Sequence, residues 1–245
     1  MPPRTLVIGI PLPHATFDNY SFASAPSISE YTRLIVEMAA VSRVVDEIAQ
    51  GSVEHKTFAG QPVANGPGTT RSFGLPDLLA MRMREAGQFF GRGGIALCIA
   101  YPDVSHEGIS GLPGWRRYGW LPEPQDFSYE TDLLPGFGKT GAEVCDDAHP
   151  FAAYVAIYGS RMAYRAHAAA RPAGARPLPV FGRSSGGLAV AFDVALGSGR
   201  AVFVPPLRNP EDDRIAVAGT LFESFEQYEV QRTEQPPDSI RKEAP

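Results

Sequence analysis

The chain has 245 residues, 44% of them hydrophobic and 20% charged, which is enough apolar material for a sizeable core and too much for a disordered chain. Its formal charge of −5 argues against a nucleic-acid partner, because phosphate binding wants a basic surface. Two cysteines, Cys98 and Cys145, give no disulfide framework, as expected of a cytoplasmic protein, and the apolar run Leu6–Pro11 is too short for a signal peptide or a membrane span.

Thr5–Ile10 reads as a buried first strand that stops at Pro11-Leu12-Pro13. A loop, His14–Ser29, follows, with Asp18, Asn19 and Tyr20 in it. Tyr31–Glu37 (YTRLIVE) is a second strand, apolar enough for a sheet covered on both faces. Val41–Gln50 has apolar residues at helical spacing, and Gly51 ends it. Ser52–Gly74 is a polar excursion with no assigned structure. Leu75–Phe90 is a long helix with Pro76 in its first turn, where a missing N–H costs little. The glycine turn Gly93-Gly94 then leads straight into a third strand, Ile95–Ala100. Helix, glycine turn, apolar strand is the second half of a parallel βαβ unit, and it points to an α/β fold.

Tyr101–Pro150 is a long insertion rich in Gly and Pro, and Phe151–His167 reads as a helix. Pro179–Gly182 begins a short strand. Leu188–Ala195 and Arg200–Pro205 form a hairpin through Leu196-Gly197-Ser198-Gly199. Arg214–Gln231 is a final amphipathic helix whose apolar face is Ile215, Val217, Ala218, Leu221, Phe222, Phe225 and Tyr228. Thr233–Pro245 is charged and Pro-rich and reads as a disordered tail. The expected architecture is one α/β domain over 1–232. Its sheet is mainly parallel, in a flavodoxin-like three-layer arrangement with a late antiparallel hairpin. The insertion, about 101–148, should lie over the C-terminal edge of the sheet.

In such sheets ligands bind beyond the C-terminal ends of the strands. His14 and Asp18 would then face Asp103 and His106 across one crevice. Imidazoles and carboxylates together suit acid–base work near neutral pH, or a Zn or Mn ion, although the spacing is not a metal signature. The plainer alternative makes the histidines loop residues bonded to backbone, with Asp147 capping the helix after His149-Pro150. Trp115, Arg116, Arg117, Tyr118 and Trp120 form an aromatic-basic cluster, either a surface for stacking and partner binding or the mini-core of the insertion. Gly182-Arg183-Ser184-Ser185-Gly186 matches Gly-x-Ser-x-Gly, but a strand follows where a nucleophile elbow needs a helix, which favours a plain turn. Arg183 at that turn could meet an anion. Gly138-Lys139-Thr140 lacks the upstream glycine of a phosphate loop, since position 133 is Leu133.

Three segments, YTRLIVE, FFGRGGIALCIAYPD and GGLAVAFDVALGSGRAVFVPP, resemble the class I glutamine-amidotransferase-like superfamily, including its ThuA-like and non-catalytic branches. That family carries a cysteine nucleophile in Gly-x-Cys-x-Gly at a strand-to-helix turn. The matching stretch here is Ala96-Leu97-Cys98-Ile99-Ala100, with both glycines replaced and Tyr101-Pro102-Asp103 following, and no late His-x-Glu pair is present. The resemblance therefore implies a branch without the elbow. Such a domain would be non-catalytic and would bind a small molecule or a protein partner through His14, Asp18, Asp103, His106, Trp115 and Arg183, with no cofactor and no membrane. One alternative is a metal- or water-dependent hydrolase of an amide, ester or glycan built on His14, Asp103 and His106. A second is an amidase that uses Cys98.

Overall fold

The computed structural model describes residues 3–50, 54–56, 62–64, 69–106, 115–136, 141–171 and 174–234. The first strand, β1 (Thr5–Ile8), is fully buried. The expected loop after it contains an edge strand, β2 (Phe17–Tyr20), and a 3-10 turn at Ile28–Glu30. β3 (Arg33–Glu37) passes without a break into helix α1 (Met38–Gln50). A small pair, β4 (Glu54–Lys56) and β5 (Pro62–Ala64), precedes α2 (Thr69–Gly91), so that helix starts earlier than Leu75 and runs through Pro76. Gly93, at φ +86°, ends α2. The Gly93 and Gly94 N–H groups return to the carbonyls of Phe90 and Phe89, a closure that needs the left-handed conformation glycine adopts without strain. β6 (Ile95–Ile99) follows at once.

The described residues of the insertion hold four short strands: β7 (Ser105–His106), β8 (Trp115–Arg116), β9 (Leu133–Pro135) and β10 (Glu143–Val144). The helix expected over Phe151–His167 is shorter. α3 is Ala152–Tyr158, a 3-10 turn covers Gly159–Arg161, and β11 (Ala166–Ala168) pairs with β9 instead. Gly159 lies against the Ala142 carbonyl, closer than any Cβ could come, and the chain turns there. Asp147 does not cap α3. The Phe151 N–H is taken by His149 Nδ1 at 3.2 Å. β12 (Val180–Arg183), β13 (Ala189–Leu196) and β14 (Gly199–Val204) follow, the last two forming the expected hairpin. α4 (Arg214–Glu234) takes in Thr233 and Glu234, and the rest of the expected tail lies outside the described residues. Among the described residues no helix is long and apolar enough to cross a membrane.

The protein is α/β. Its main sheet runs β10-β12-β13-β14-β6-β3-β1-β2, with β11 and β9 attached beside β13. Every pairing from β14 through β6, β3 and β1 to β2 is parallel, and those on the β13 side are antiparallel. β1 and β6 point the same way, with β3 between them. One face packs on Met38 and Val41 of α1, on Leu79, Phe89 and Phe90 of α2, and on Tyr118, Trp120, Phe127 and Tyr129 of the insertion. The other packs on Phe151, Tyr154 and Val155 near and in α3, and on Val217, Leu221 and Phe225 of α4. Part of the aromatic-basic cluster is therefore core. Trp120 and Tyr118 are buried against the sheet. On α4 the expected face holds except at Ile215, which is 76% exposed.

Candidate functional site

The direct passage from β3 into α1 places Glu37 at the C-terminal edge of the sheet. The junction is tight. A Cβ on Gly9 would stand 2.2 Å from the Ala40 Cβ, so only glycine lets β1 end beside α1. The Glu37 carboxylate accepts from Arg43 Nη2 at 2.6 Å and from the Tyr101 hydroxyl, just beyond β6, at 3.4 Å. Burial raises the Tyr101 hydroxyl pKa, and the Glu37 charge raises it further. Beside this pair Arg117 donates to Ser42 Oγ at 2.8 Å and covers the Tyr101 ring. Asp103 is bound by Arg116, which also reaches Glu130 at 2.7 Å. A carboxylate, a phenol and several guanidinium groups thus line one edge. The arrangement can hold a polar ligand by hydrogen bonds.

A second polar group lies under α4. Asp193, in the middle of β13 and 2% exposed, accepts from the Tyr228 hydroxyl at 2.6 Å and from Arg200 Nε at 3.0 Å. His149 Nε2 stands 3.6 Å away. The His149 ring stacks on Phe181 at 3.9 Å with 2° between the planes. Its Nδ1 accepts the Phe151 N–H, which in the neutral ring leaves the proton on Nε2, facing Asp193. Burial alone would raise the Asp193 pKa, but His149, Arg200 and Tyr228 outweigh it and hold the carboxyl below its usual range.

No family model matches the chain, and no curated protein does. Solved structures with a related outline exist. A cytoplasmic protein from Salmonella typhimurium is 11% identical over 89% of this chain and 98% of its own, with a TM-score of 0.46. A GMP synthase-like protein from Thermoplasma acidophilum is 11% identical over 95% and 98%, with a TM-score of 0.37. The GH42 β-galactosidase Gan42B, also at 11%, matches 97% of this chain with only 31% of its own, with a TM-score of 0.38. The likeness concerns outline alone and assigns no role to any residue.

The residues singled out in the sequence scatter. The chain turns back after β1, so Phe17 stands opposite Thr5 and Asp18 opposite Leu6. His14 precedes them at the N-terminal end of β2, its ring stacked on Phe222 of α4 at 4.6 Å and its Nδ1 on Thr16 Oγ1 at 2.9 Å. Asp18 pairs with Arg4 and accepts the Tyr31 hydroxyl at 3.2 Å. Asp103 lies beyond the opposite end of the strands. At roughly 3.3 Å per strand residue, a strand's length separates it from His14, and the expected crevice does not assemble. His106 and Trp115 pair through their backbones in the β7–β8 ladder, and their side chains lie outside the described residues.

Arg183 donates to the Gly187 carbonyl at 2.8 Å, and Ser184 Oγ accepts the Leu188 N–H, so Gly-x-Ser-x-Gly is the β12–β13 turn. Cys98 is fully buried in mid-strand, and burial pushes its thiol pKa far up, away from the thiolate a nucleophile needs. Lys139 lies outside the described residues. Among the described residues no three His, Cys, Asp or Glu side chains gather as a metal site would require. Glu37 and Asp193 were missed. The signal for each was a lone acid within an apolar strand, in RLIVE and AVAFDVAL.

Proposed function

We propose that the chain is a non-catalytic amidotransferase-like domain that binds a small polar molecule at the C-terminal edge of its sheet, with Glu37 as the central contact. The observation that carries this reading is the position of Glu37. It occupies a strand-to-helix junction, its carboxylate is only 18% exposed, and it is oriented by Arg43 and Tyr101. A held carboxylate at that place suits a ligand that donates hydrogen bonds through a hydroxyl or an amine. The burial of Cys98 speaks against thiol chemistry. The separation of His14 from Asp103 speaks against the hydrolase reading, which drew on both.

The test is a thermal-shift screen of small hydroxylated and amino metabolites on wild-type and Glu37→Gln protein. A ligand at a hundred times its Kd stabilises by about 2.7 kcal/mol. The shift should disappear in Glu37→Gln, while the melting temperature without ligand stays close to that of the wild type. A shift that persists unchanged in the variant would move the site elsewhere. Ready alkylation of Cys98 by iodoacetamide in the native protein would restore the thiol reading.

A further inference from the structure

Away from that edge, the pairing of β12 with β13 stops at a Pro-Leu-Pro segment. The Asp193 N–H donates to the Pro179 carbonyl at 2.9 Å, and the ladder goes no further, because neither Pro179 nor Pro177 has an N–H to return. β13 continues to Leu196 with β14 on its other side. In an antiparallel ladder alternate residues face alternate neighbours, so Ala195 turns its N–H and C=O outward, as Asp193 does. Among the described residues no backbone group beside β12 bonds Ala195.

A cavity of about 410 Å³ opens between this bare edge and the departing chain, walled by Ala195, Leu178 and Phe127 and by Arg171, Arg176 and Arg200. Arg171 lies over the Phe127 ring, its Nη1 donates to the Asp126 carbonyl and stands 3.9 Å from the Asp132 carboxylate, and its buried Nε has no hydrogen-bond partner. Arg200 is held through Nε by Asp193, which fixes the direction of its remaining donors. Glu123 and Asp126 stand at the exposed rim and disfavour a bare anion, though they can accept from a ligand that also carries N–H groups.

We propose that this cleft binds an extended acidic peptide segment as an added strand on the edge of β13. Ala195 supplies the main-chain donor and acceptor, and the three arginines take the peptide's carboxylates. Main-chain pairing gives affinity and the arginines give selectivity, as in other strand-addition sites.

The probe is a fluorescein-labelled peptide, acetyl-(Glu-Val)₂-Glu-amide, titrated with the full chain and followed by anisotropy. The expected result is saturable binding that the Lys-Val counterpart does not show. Arg176→Ala should weaken it about tenfold, the loss of one charge-assisted contact. Ala195→Pro, which removes the outward N–H and fixes φ at that position, should abolish it, and Ala195→Thr should not. If Ala195→Pro fails to fold, a probe N-methylated at alternate residues makes the same test on intact protein and should not bind. No binding, equal binding of the Lys peptide, or full binding of the N-methylated probe would overturn the proposal. Complete displacement by saturating free glutarate, with Ala195→Pro unaffected, would also overturn it, since it would mark a site for small anions.

Discussion

β3 and β13 each bury one charge beneath α4, and they do it in opposite ways. Arg33 begins β3 with no exposed surface, but its long side chain reaches Glu226 and Glu229, whose carboxylates are 48% and 37% exposed. Phe222 and Phe225 flank the guanidinium. The charge is carried outward to groups that water can also reach. Asp193 is too short for that. It draws Arg200, Tyr228 and His149 inward to itself, and only Arg200 keeps substantial exposure. A long buried cation can depend on the surface, whereas a short buried anion depends on the interior.

The two arrangements should respond differently to deletion. Asp193→Ala leaves the Arg200 Nε and the Tyr228 hydroxyl without their acceptor. The expected loss is about 3–5 kcal/mol, the usual cost of breaking a buried pair from one side, measured by urea unfolding. Arg33→Met keeps the volume and frees two carboxylates that water can solvate. It should stay within about 1.5 kcal/mol of wild type. Equal costs for the two variants would mean that Glu226 and Glu229 are as dependent on their partner as Arg200 is, and the contrast would fail.

The same contrast separates what was legible in the sequence from what was not. β1, β3 and β6 are short apolar runs because both faces of a parallel strand are covered, and the pattern survives in the chain. The glycine turn after α2 and the Gly197-Ser198 hairpin have local causes. β2 has only Phe17 buried, so FDNY carries no strand pattern, and the loop that was expected to stay at the C-terminal edge returned His14 to the other end. β9 and β11 owe their existence to each other across a long separation. Arg82 looks like a solvated helix residue, yet it is 1% exposed and donates to the carbonyls of Phe22, Ala25 and Pro26. The Asp193 group joins residues from β13, β14, α4 and the segment before α3, and no local pattern announces such a meeting.

Among the described residues the Asp–Tyr pair occurs twice, buried as Asp193–Tyr228 at 2.6 Å and nearer the surface as Asp18–Tyr31 at 3.2 Å, and here the expected effects are smaller. Burial pushes the Tyr31 hydroxyl up to about 12, with the charge and hydrogen bond of Asp18 adding to it. Tyr228 is raised further, by burial and by Asp193. A raised folded pKa contributes stability that is present below the unfolded value of 10 and is lost as pH rises through the folded one. Asp193 gives the opposite limb. Its folded pKa is depressed below 3.8, so its contribution is present above that value and is lost as pH falls through the folded pKa. In a titration of tyrosinate absorbance, Tyr31→Phe should remove a group that ionises near pH 12 in the folded protein. Asp18→Asn should bring that ionisation part of the way back toward 10, because the burial contribution remains. A full return to 10 would show that Asp18 alone holds Tyr31, and that this outer pair, unlike the inner one, owes nothing to its surroundings.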